Sequence, residues 1–220
     1  MSRYSTADRP CDLVMKGGIT SGILYTPAVC RIAEEFHLVG IGGTSAGAIA
    51  ACAAAAAEYR RRTSGSGEGF ERLEAIAGEL AEPGRLLGLF RPDGATKREF
   101  DLFRGALGLN SCSSVERLWW KIRLLWGAVW HRRKLQRLVE NGYGICTGRA
   151  LDNPPPPGAI PPLTEWLTAT IDEIAGRPDG RPLTFGDLRR APKPPILQQL
   201  TDDAERSIDL RAVTTCVSFA

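Results

Sequence analysis

The stretch LVGIGGTSAG, residues 38–47, decides the fold of this 220-residue chain. Its first half, residues 38–42, is apolar and small, and predicts a short buried strand. The residues that follow the stretch, 46–61, are rich in alanine and predict a helix of high intrinsic propensity. Ser45 therefore stands in the turn where a strand ends and a helix begins.

The same order of elements occurs once before this stretch. Residues 11–15 predict a short buried strand, residues 16–22 a glycine-rich turn, and residues 23–35 a helix with apolar side chains at helical spacing. A third strand is predicted over residues 208–219. Strands that alternate with helices indicate an α/β fold, with a parallel, doubly wound sheet and flanking helices.

The middle of the chain has a different texture, although residues 1–220 are predicted to form a single domain. From residue 63 onwards, glycine, proline and charged residues interrupt the pattern, and helices are predicted over residues 70–80 and 115–139. We interpret residues 63–150 as a helical, cap-like insert in the domain. Six prolines between residues 153 and 162 then predict an extended loop.

The bulk composition excludes several classes of protein. A net charge of +3 is too small to indicate a nucleic-acid partner. The chain has only two histidines and no C-x-x-C pair, which argues against a metal site. The start of the chain lacks the apolar core of a signal peptide, and no apolar run reaches the roughly 20 residues needed to span a bilayer. We therefore predict a cytoplasmic protein with six reduced thiols: Cys11, Cys30, Cys52, Cys112, Cys146 and Cys216.

Ser45 lies in a G-x-S-x-G motif between a predicted strand and a predicted helix, which is the context of a nucleophile elbow. A sharp turn of this kind holds the serine in a strained backbone conformation, so small neighbours are needed. Gly43 and Gly47 supply the room. The helix that begins after Ser45 directs backbone N–H groups and the positive end of its dipole toward the serine.

A second glycine pair, Gly17 and Gly18, follows the first predicted strand. The carboxyl ends of parallel strands share one edge of the sheet, so this turn is expected to lie near Ser45. Exposed N–H groups there would form an oxyanion hole.

Two other interpretations of these glycines remain open. Ser45 could cap the following helix while the glycines allow close packing. Alternatively, Gly40 and Gly42 could begin a dinucleotide-binding fingerprint, although the third glycine of that fingerprint is missing.

These residues resemble the patatin-like phospholipase family, whose members pair a glycine-rich oxyanion loop with a G-x-S-x-G elbow about thirty residues later. The matching segments are residues 16–22 and 43–47, within a similar region that covers residues 13–59. The lysine at the start of the loop is similar to that of bacterial members. Residues 183–188 and 214–215 resemble the same subgroup.

The resemblance implies a function for the matching residues. Ser45 would be the nucleophile, and Gly17 and Gly18 would supply the oxyanion donors. An aspartate in a D-G-G or D-G-A motif would complete a Ser-Asp dyad. The substrate would be an ester of a phospholipid or acylglycerol, cleaved through an acyl-enzyme without a metal or an organic cofactor.

The sequence does not identify the base. Asp93 and Asp179 each precede a glycine, but both stand in polar or proline-flanked surroundings typical of turns, and Asp93 is the better candidate. His37 and His131 do not fit the chain order of a Ser-Asp-His triad. We therefore expect that the chain is a truncated form lacking the aspartate. The alternative function is a catalytically inactive lipid-binding or partner-binding domain.

A basic, tryptophan-rich helix is predicted between Trp119 and Arg137. One interpretation is a segment that contacts lipid headgroups, which would place the protein at a membrane periphery. The other is a cap helix that packs over the core with its cations in water. The helix contains four of the five tryptophans, Trp119, Trp120, Trp126 and Trp130.

Overall fold

The computed structural model describes residues 3–18, 21–82, 85–90, 100, 161–177, 180–200 and 207–213. Within these residues, the strands β1 (Arg9–Met15), β2 (Phe36–Thr44) and β3 (Asp209–Val213) form a parallel sheet in the order β1-β2-β3. Helices flank the sheet, so the predicted α/β class is confirmed. The doubly wound arrangement stays a prediction.

The predicted helices are present where the structure describes them, with ends that differ by a few residues. The first begins two residues earlier than predicted, and Pro27 lies inside it. Proline has no N–H, so this helix lacks one internal hydrogen bond at that point. The described helices are α1 (Ser21–Ala33), α2 (Ala46–Ser64), α3 (Glu68–Ala81), α4 (Arg85–Gly88), α5 (Leu163–Ile174), α6 (Phe185–Arg189) and α7 (Pro195–Leu200).

The chain divides into two units. The first contains Met1–Pro83 and Leu167–Ala220, and the second contains Gly84–Trp166. The predicted insert, residues 63–150, falls mostly outside the described residues and stays a prediction. Its early part contains α3, which packs against α1 and α2 in the first unit.

The core of the first unit lies between the sheet and α1, α2 and α3. Helix α2 contacts all three strands, and its buried face is almost entirely alanine. Small side chains let a helix approach a sheet closely, so the alanine-rich sequence explains the close packing of α2. The large buried side chains that complete this core are Met15, Val29, Leu38, Ile41, Phe70, Leu73 and Ile76.

A β-bulge interrupts the pairing of β1 with β2 near Asp12. The register shifts between Cys11 and Leu13, so β2 carries one extra residue there. The Asp12 carboxylate accepts a hydrogen bond of 2.8 Å from the backbone N–H of Gly40. A carboxylate thus replaces the ladder bond that the bulge removes.

A buried ionic cluster joins α2 to the amino end of β2. Glu58 is fully buried, and its carboxylate binds Arg61, Arg62 and His37. Burial alone would raise the pKa of Glu58, but the hydrogen bond from His37 and the charges of the two arginines outweigh it and hold the pKa at about 2. Glu58 is therefore a carboxylate in the folded protein.

Both arginines of this cluster also donate to backbone groups of other elements. Their hydrogen bonds connect α2 to the end of α1, to the start of β2 and to the segments that precede β1 and β3, so the cluster fixes the amino edge of the sheet. The acceptors are the carbonyl oxygens of Tyr4, Ala33 and Phe36 for Arg61, and those of Leu38 and Ser207 for Arg62.

The segment 183–188, noted above for its resemblance, forms a helix cap. Thr184 accepts a hydrogen bond from the backbone N–H of Asp187, and the Asp187 carboxylate accepts one from the backbone N–H of Thr184. This capping box begins α6. The Thr184 hydrogen bonds and the nearby Arg177 lower the pKa of Asp187 to about 2.

Several predictions concern residues that the structure does not describe. The helix between Trp119 and Arg137, the turns at Asp93 and Asp179, and His131 lie outside the described residues. The same holds for three of the six cysteines, whereas Cys11, Cys30 and Cys52 are free thiols. In the part of the chain that is described, no helix is long and apolar enough to cross a membrane.

Candidate active site at the carboxyl edge of the sheet

Ser45 has a strained backbone. Its φ is 53° and its ψ is −126°, and it is the single non-glycine residue with positive φ in the described ranges. Residues with a Cβ rarely adopt a positive φ, because the side chain then clashes with the backbone. Residues held in such a conformation cluster at functional sites. Ser45 occupies the N-cap position of α2, but its side chain makes no capping hydrogen bond, and the residue is exposed. The alternative in which Ser45 merely caps α2 is therefore not supported.

The two glycines of the motif are required by close backbone contacts. A Cβ on Gly43 would lie closer than 3.0 Å to the carbonyl oxygen of Gly47, and a Cβ on Gly47 would lie equally close to that of Met15. A Cβ atom does not approach a carbonyl oxygen so closely in folded proteins, so a larger residue would force the backbone to move. The first turn of α2 thus rests directly on the ends of β1 and β2.

The structure brings the turn after β1 against Ser45. Met15 pairs with Gly43 at the end of the ladder, so the residues after Met15 emerge beside the elbow. A Cβ on Gly17 would stand 2.8 Å from the Cβ of Ser45. The sequence prediction placed these two glycine-containing turns at one edge, and the geometry agrees.

Two side chains hold this turn in place. The backbone N–H of Gly17 donates a 3.0 Å hydrogen bond to Oγ1 of Thr44, and the Tyr25 hydroxyl donates a 2.5 Å hydrogen bond to the carbonyl oxygen of Lys16. Gly17 was predicted to donate its N–H to an oxyanion, but in the structure this N–H already donates a hydrogen bond to Thr44. The neighbouring Gly18 is exposed.

The start of α2 adds polarity that favours an anion beside Ser45. The helix begins at Ala46, and the backbone N–H of Ala48 donates to the carbonyl oxygen of Ser45 at 2.9 Å. The N–H groups of Ala46 and Gly47 come earlier in the helix, where no intrahelical acceptor exists. Together with the helix dipole, they stabilise negative charge close to the serine.

Four large apolar side chains in the elements that meet at this edge are exposed. Val14 is 85% exposed and Val213 is 60% exposed at the ends of the outer strands, while Leu24 and Ile49 are exposed in the first turns of α1 and α2. Single exposed apolar side chains are common on protein surfaces, whereas several that lie together mark a surface that binds another apolar group. We call these four residues the apolar rim.

Within the described ranges, no hydrogen bond is recorded for the Ser45 side chain, and the carboxylates on the strands have other partners. Asp12 accepts from Gly40, and Asp209 pairs with Arg211. Asp93 and Asp179 fall outside the described residues.

His37 cannot serve as the base for Ser45. It is the second residue of β2, at the amino edge, and its Nδ1 lies 3.3 Å from the Glu58 carboxylate. Ser45 lies eight positions further along the chain, or roughly 26 Å away at the usual rise per residue of a strand. His37 therefore does not support a Ser-Asp-His triad at Ser45.

Among the described residues, no group of three or more His, Cys, Asp or Glu side chains could hold a metal ion. The predicted absence of a metal and of an organic cofactor stays a prediction.

The sequence analysis missed Tyr25 and Thr44. Tyr25 sits in a helix whose periodicity explains it as a packing residue, and Thr44 occupies a variable position of the G-x-S-x-G motif. The pairing of β1 with β2 brings Thr44 to the Lys16–Gly17 peptide, and the placement of α1 brings Tyr25 to it, so no local signal could have identified them.

Comparison with known proteins gives one curated relative. The chain is 33% identical over 263 aligned positions to a protein of Rhizobium meliloti (strain 1021) named RpoH suppressor. The alignment covers 97% of this chain and 41% of that relative, so the chain spans less than half of the relative's length. No protein-family profile matches the chain, and no solved structure matches it.

Proposed function

We propose that this chain is a patatin-like, doubly wound α/β domain that hydrolyses lipid esters with Ser45 as the nucleophile. The observation that carries the proposal is the backbone of Ser45, at φ 53° and ψ −126°, with an exposed and uncapped side chain. Such strain is retained where a function requires it. A serine that served only to begin α2 would adopt the extended backbone of an ordinary cap.

The surroundings of Ser45 suit attack on an ester carbonyl. The hydroxyl oxygen of Ser45 would bond to the carbonyl carbon while its proton passes to a general base, for which Asp93 is the better candidate in this chain. The resulting oxyanion would lie between the N-terminus of α2 and the turn at Gly17 and Gly18. The alcohol then leaves with a proton, and water releases the acid from the acyl-enzyme.

The apolar rim supports an apolar acyl group as the substrate moiety. Each CH₂ group that leaves water contributes about 0.8 kcal/mol to binding. A chain laid across Val14, Leu24 or Ile49 would therefore bind more tightly than an acetyl group. A lipid ester is the substrate class that fits such a surface, and contact with a membrane through the segment between Trp119 and Arg137 belongs to the same proposal.

The experiment is ester turnover by the purified chain. We expect hydrolysis of p-nitrophenyl butyrate and faster hydrolysis of p-nitrophenyl octanoate, with both rates falling to background in Ser45→Ala. The matched control is Ser64→Ala, because Ser64 is an exposed serine at the far end of α2. Turnover that survives Ser45→Ala would contradict the proposal.

The same experiment separates the hydrolase from the inactive binding domain. A chain that binds octanoate esters without releasing p-nitrophenol would be a binding domain, because binding needs the apolar rim and not the nucleophile. That outcome would also overturn the assignment of a hydrolase.

A further inference from the structure

We propose that Tyr25 and Thr44 are positioning residues that hold the oxyanion loop against Ser45 by clamping a single peptide group. This inference rests on the proposed function and assigns to two side chains a task that the G-x-S-x-G motif does not predict. It follows from the two hydrogen bonds to the turn after β1.

The two hydrogen bonds meet on one peptide plane. The carbonyl of Lys16 and the N–H of Gly17 belong to the same peptide group. The described peptide bonds are all trans, so these two groups point in opposite directions. Tyr25 holds the carbonyl from α1, and Thr44 holds the N–H from the end of β2. The peptide is therefore fixed from both sides.

The clamp determines where the next peptide can lie. Gly17 is the hinge between the clamped peptide and the one that carries the N–H of Gly18. A Cβ on Gly17 would meet Ser45, so the hinge lies against the elbow. Because the N–H of Gly17 is occupied by Thr44, we assign the oxyanion donor of this loop to Gly18. The donor is useful only if its distance from the reacting carbon is fixed to within a fraction of an ångström.

The clamp makes a specific prediction for each side chain. Thr44→Val keeps the shape of the side chain and removes the acceptor, and Tyr25→Phe removes only the donor. Each should lower kcat for p-nitrophenyl butyrate about tenfold or more with little change in KM, because the loop acts in the transition state. Thr44→Ser keeps the hydroxyl and should restore most of the rate.

The two effects should not multiply. Both side chains act on one peptide, so the double variant should lose less than the product of the two single losses. Side chains that merely stabilised the fold at separate places would give independent effects. The rescue by serine and the coupling between the variants therefore distinguish positioning from a general structural role.

Matched controls come from the far half of α2. The Thr63 hydroxyl bonds only to the carbonyl oxygens of its own helix, so Thr63→Val tests the same chemical change. The Tyr59 hydroxyl accepts from Arg177, so Tyr59→Phe matches Tyr25→Phe. Tyr59 is 14 residues from Ser45, or about 21 Å along the helix axis. Both controls should keep the rate of the unmodified chain.

The closing experiment measures the rate of phosphonylation by a fluorophosphonate probe and the hydrogen exchange of the Gly17 amide in the same variants. We expect slower labelling in Thr44→Val and Tyr25→Phe, and faster exchange of the Gly17 amide in Thr44→Val. Labelling at the unmodified rate in both variants would overturn the clamp and leave Ser45 as the nucleophile. Labelling that persists in Ser45→Ala, or none in the unmodified chain, would overturn the proposed function as well.

Discussion

Gly17 lies directly against the side chain of Ser45, since a Cβ built on Gly17 would lie 2.8 Å from the Cβ of Ser45. Gly17→Ala should therefore push the oxyanion loop away from the serine. A displacement of about 1 Å in a catalytic group lowers the reaction rate on the order of a hundredfold. We expect kcat for p-nitrophenyl butyrate to fall by about that factor. A rate within twofold of the unmodified chain would contradict the close contact.

Gly47 is the position where the first turn of α2 rests on β1. A Cβ there would clash with the carbonyl oxygen of Met15, and the backbone has no free space to relax. We expect Gly47→Ala to lower the free energy of unfolding by about 3 kcal/mol, measured by urea denaturation.

The control for that variant is Gly78→Ala, also within a helix. No heavy atom lies within 4 Å of the added Cβ, so alanine should raise the free energy of unfolding by roughly 0.5–1 kcal/mol. Equal changes in the free energy of unfolding for Gly47→Ala and Gly78→Ala would contradict the close contact between the elbow and β1.

The backbone strain at Ser45 should be measurable as a difference in the free energy of unfolding between two variants. Glycine adopts φ 53° without a steric cost, whereas a side chain there costs on the order of 1–3 kcal/mol. Ser45→Gly should therefore unfold at a higher urea concentration than Ser45→Ala. Since neither variant has the nucleophile, the comparison isolates the backbone. A midpoint for Ser45→Gly at or below that of Ser45→Ala would mean that Ser45 is unstrained.

The Glu58 cluster predicts a loss of stability in acid. Because the pKa of Glu58 is held at about 2, below its usual 4.5, its carboxylate stabilises the fold above about pH 4.5. The stabilisation is lost as the pH falls from about 4.5 toward 2. We expect Glu58→Gln to lower the free energy of unfolding at pH 7 by about 3 kcal/mol or more.

Comparison of pH profiles isolates this carboxylate from others that titrate in the same range, such as Asp187. The unfolding free energy of Glu58→Gln should fall less steeply below pH 4.5 than that of the unmodified chain. The control is Glu74→Gln, because Glu74 forms an exposed pair with Arg3 and should change stability by less than about 1 kcal/mol. Parallel profiles for all three proteins would contradict the role of Glu58.

The sequence was most informative where structure depends on local pattern. Apolar runs that are bounded by glycine-rich turns predict the strands and helices around Ser45. The structure confirms these elements. The meeting of Gly17 with Ser45 was also predictable, because parallel strands place their carboxyl ends at one edge.

Features that depend on contacts between distant segments were not predictable. Glu58, Arg61 and Arg62 have the spacing of an ordinary ion pair on a helix surface. Their burial depends on how α2 packs over the amino edge of the sheet. The bulge at Asp12 likewise depends on strand register, which no pattern within β1 reveals.

The central claim is that Ser45 is an activated nucleophile on a strained elbow. The most direct measurement is peptide mass spectrometry of the chain after reaction with a fluorophosphonate probe. The account predicts a single phosphonyl adduct, on Ser45, which is absent after denaturation before labelling and absent in Ser45→Ala. An unmodified Ser45, or an adduct on another serine with Ser45 unchanged, would contradict the account.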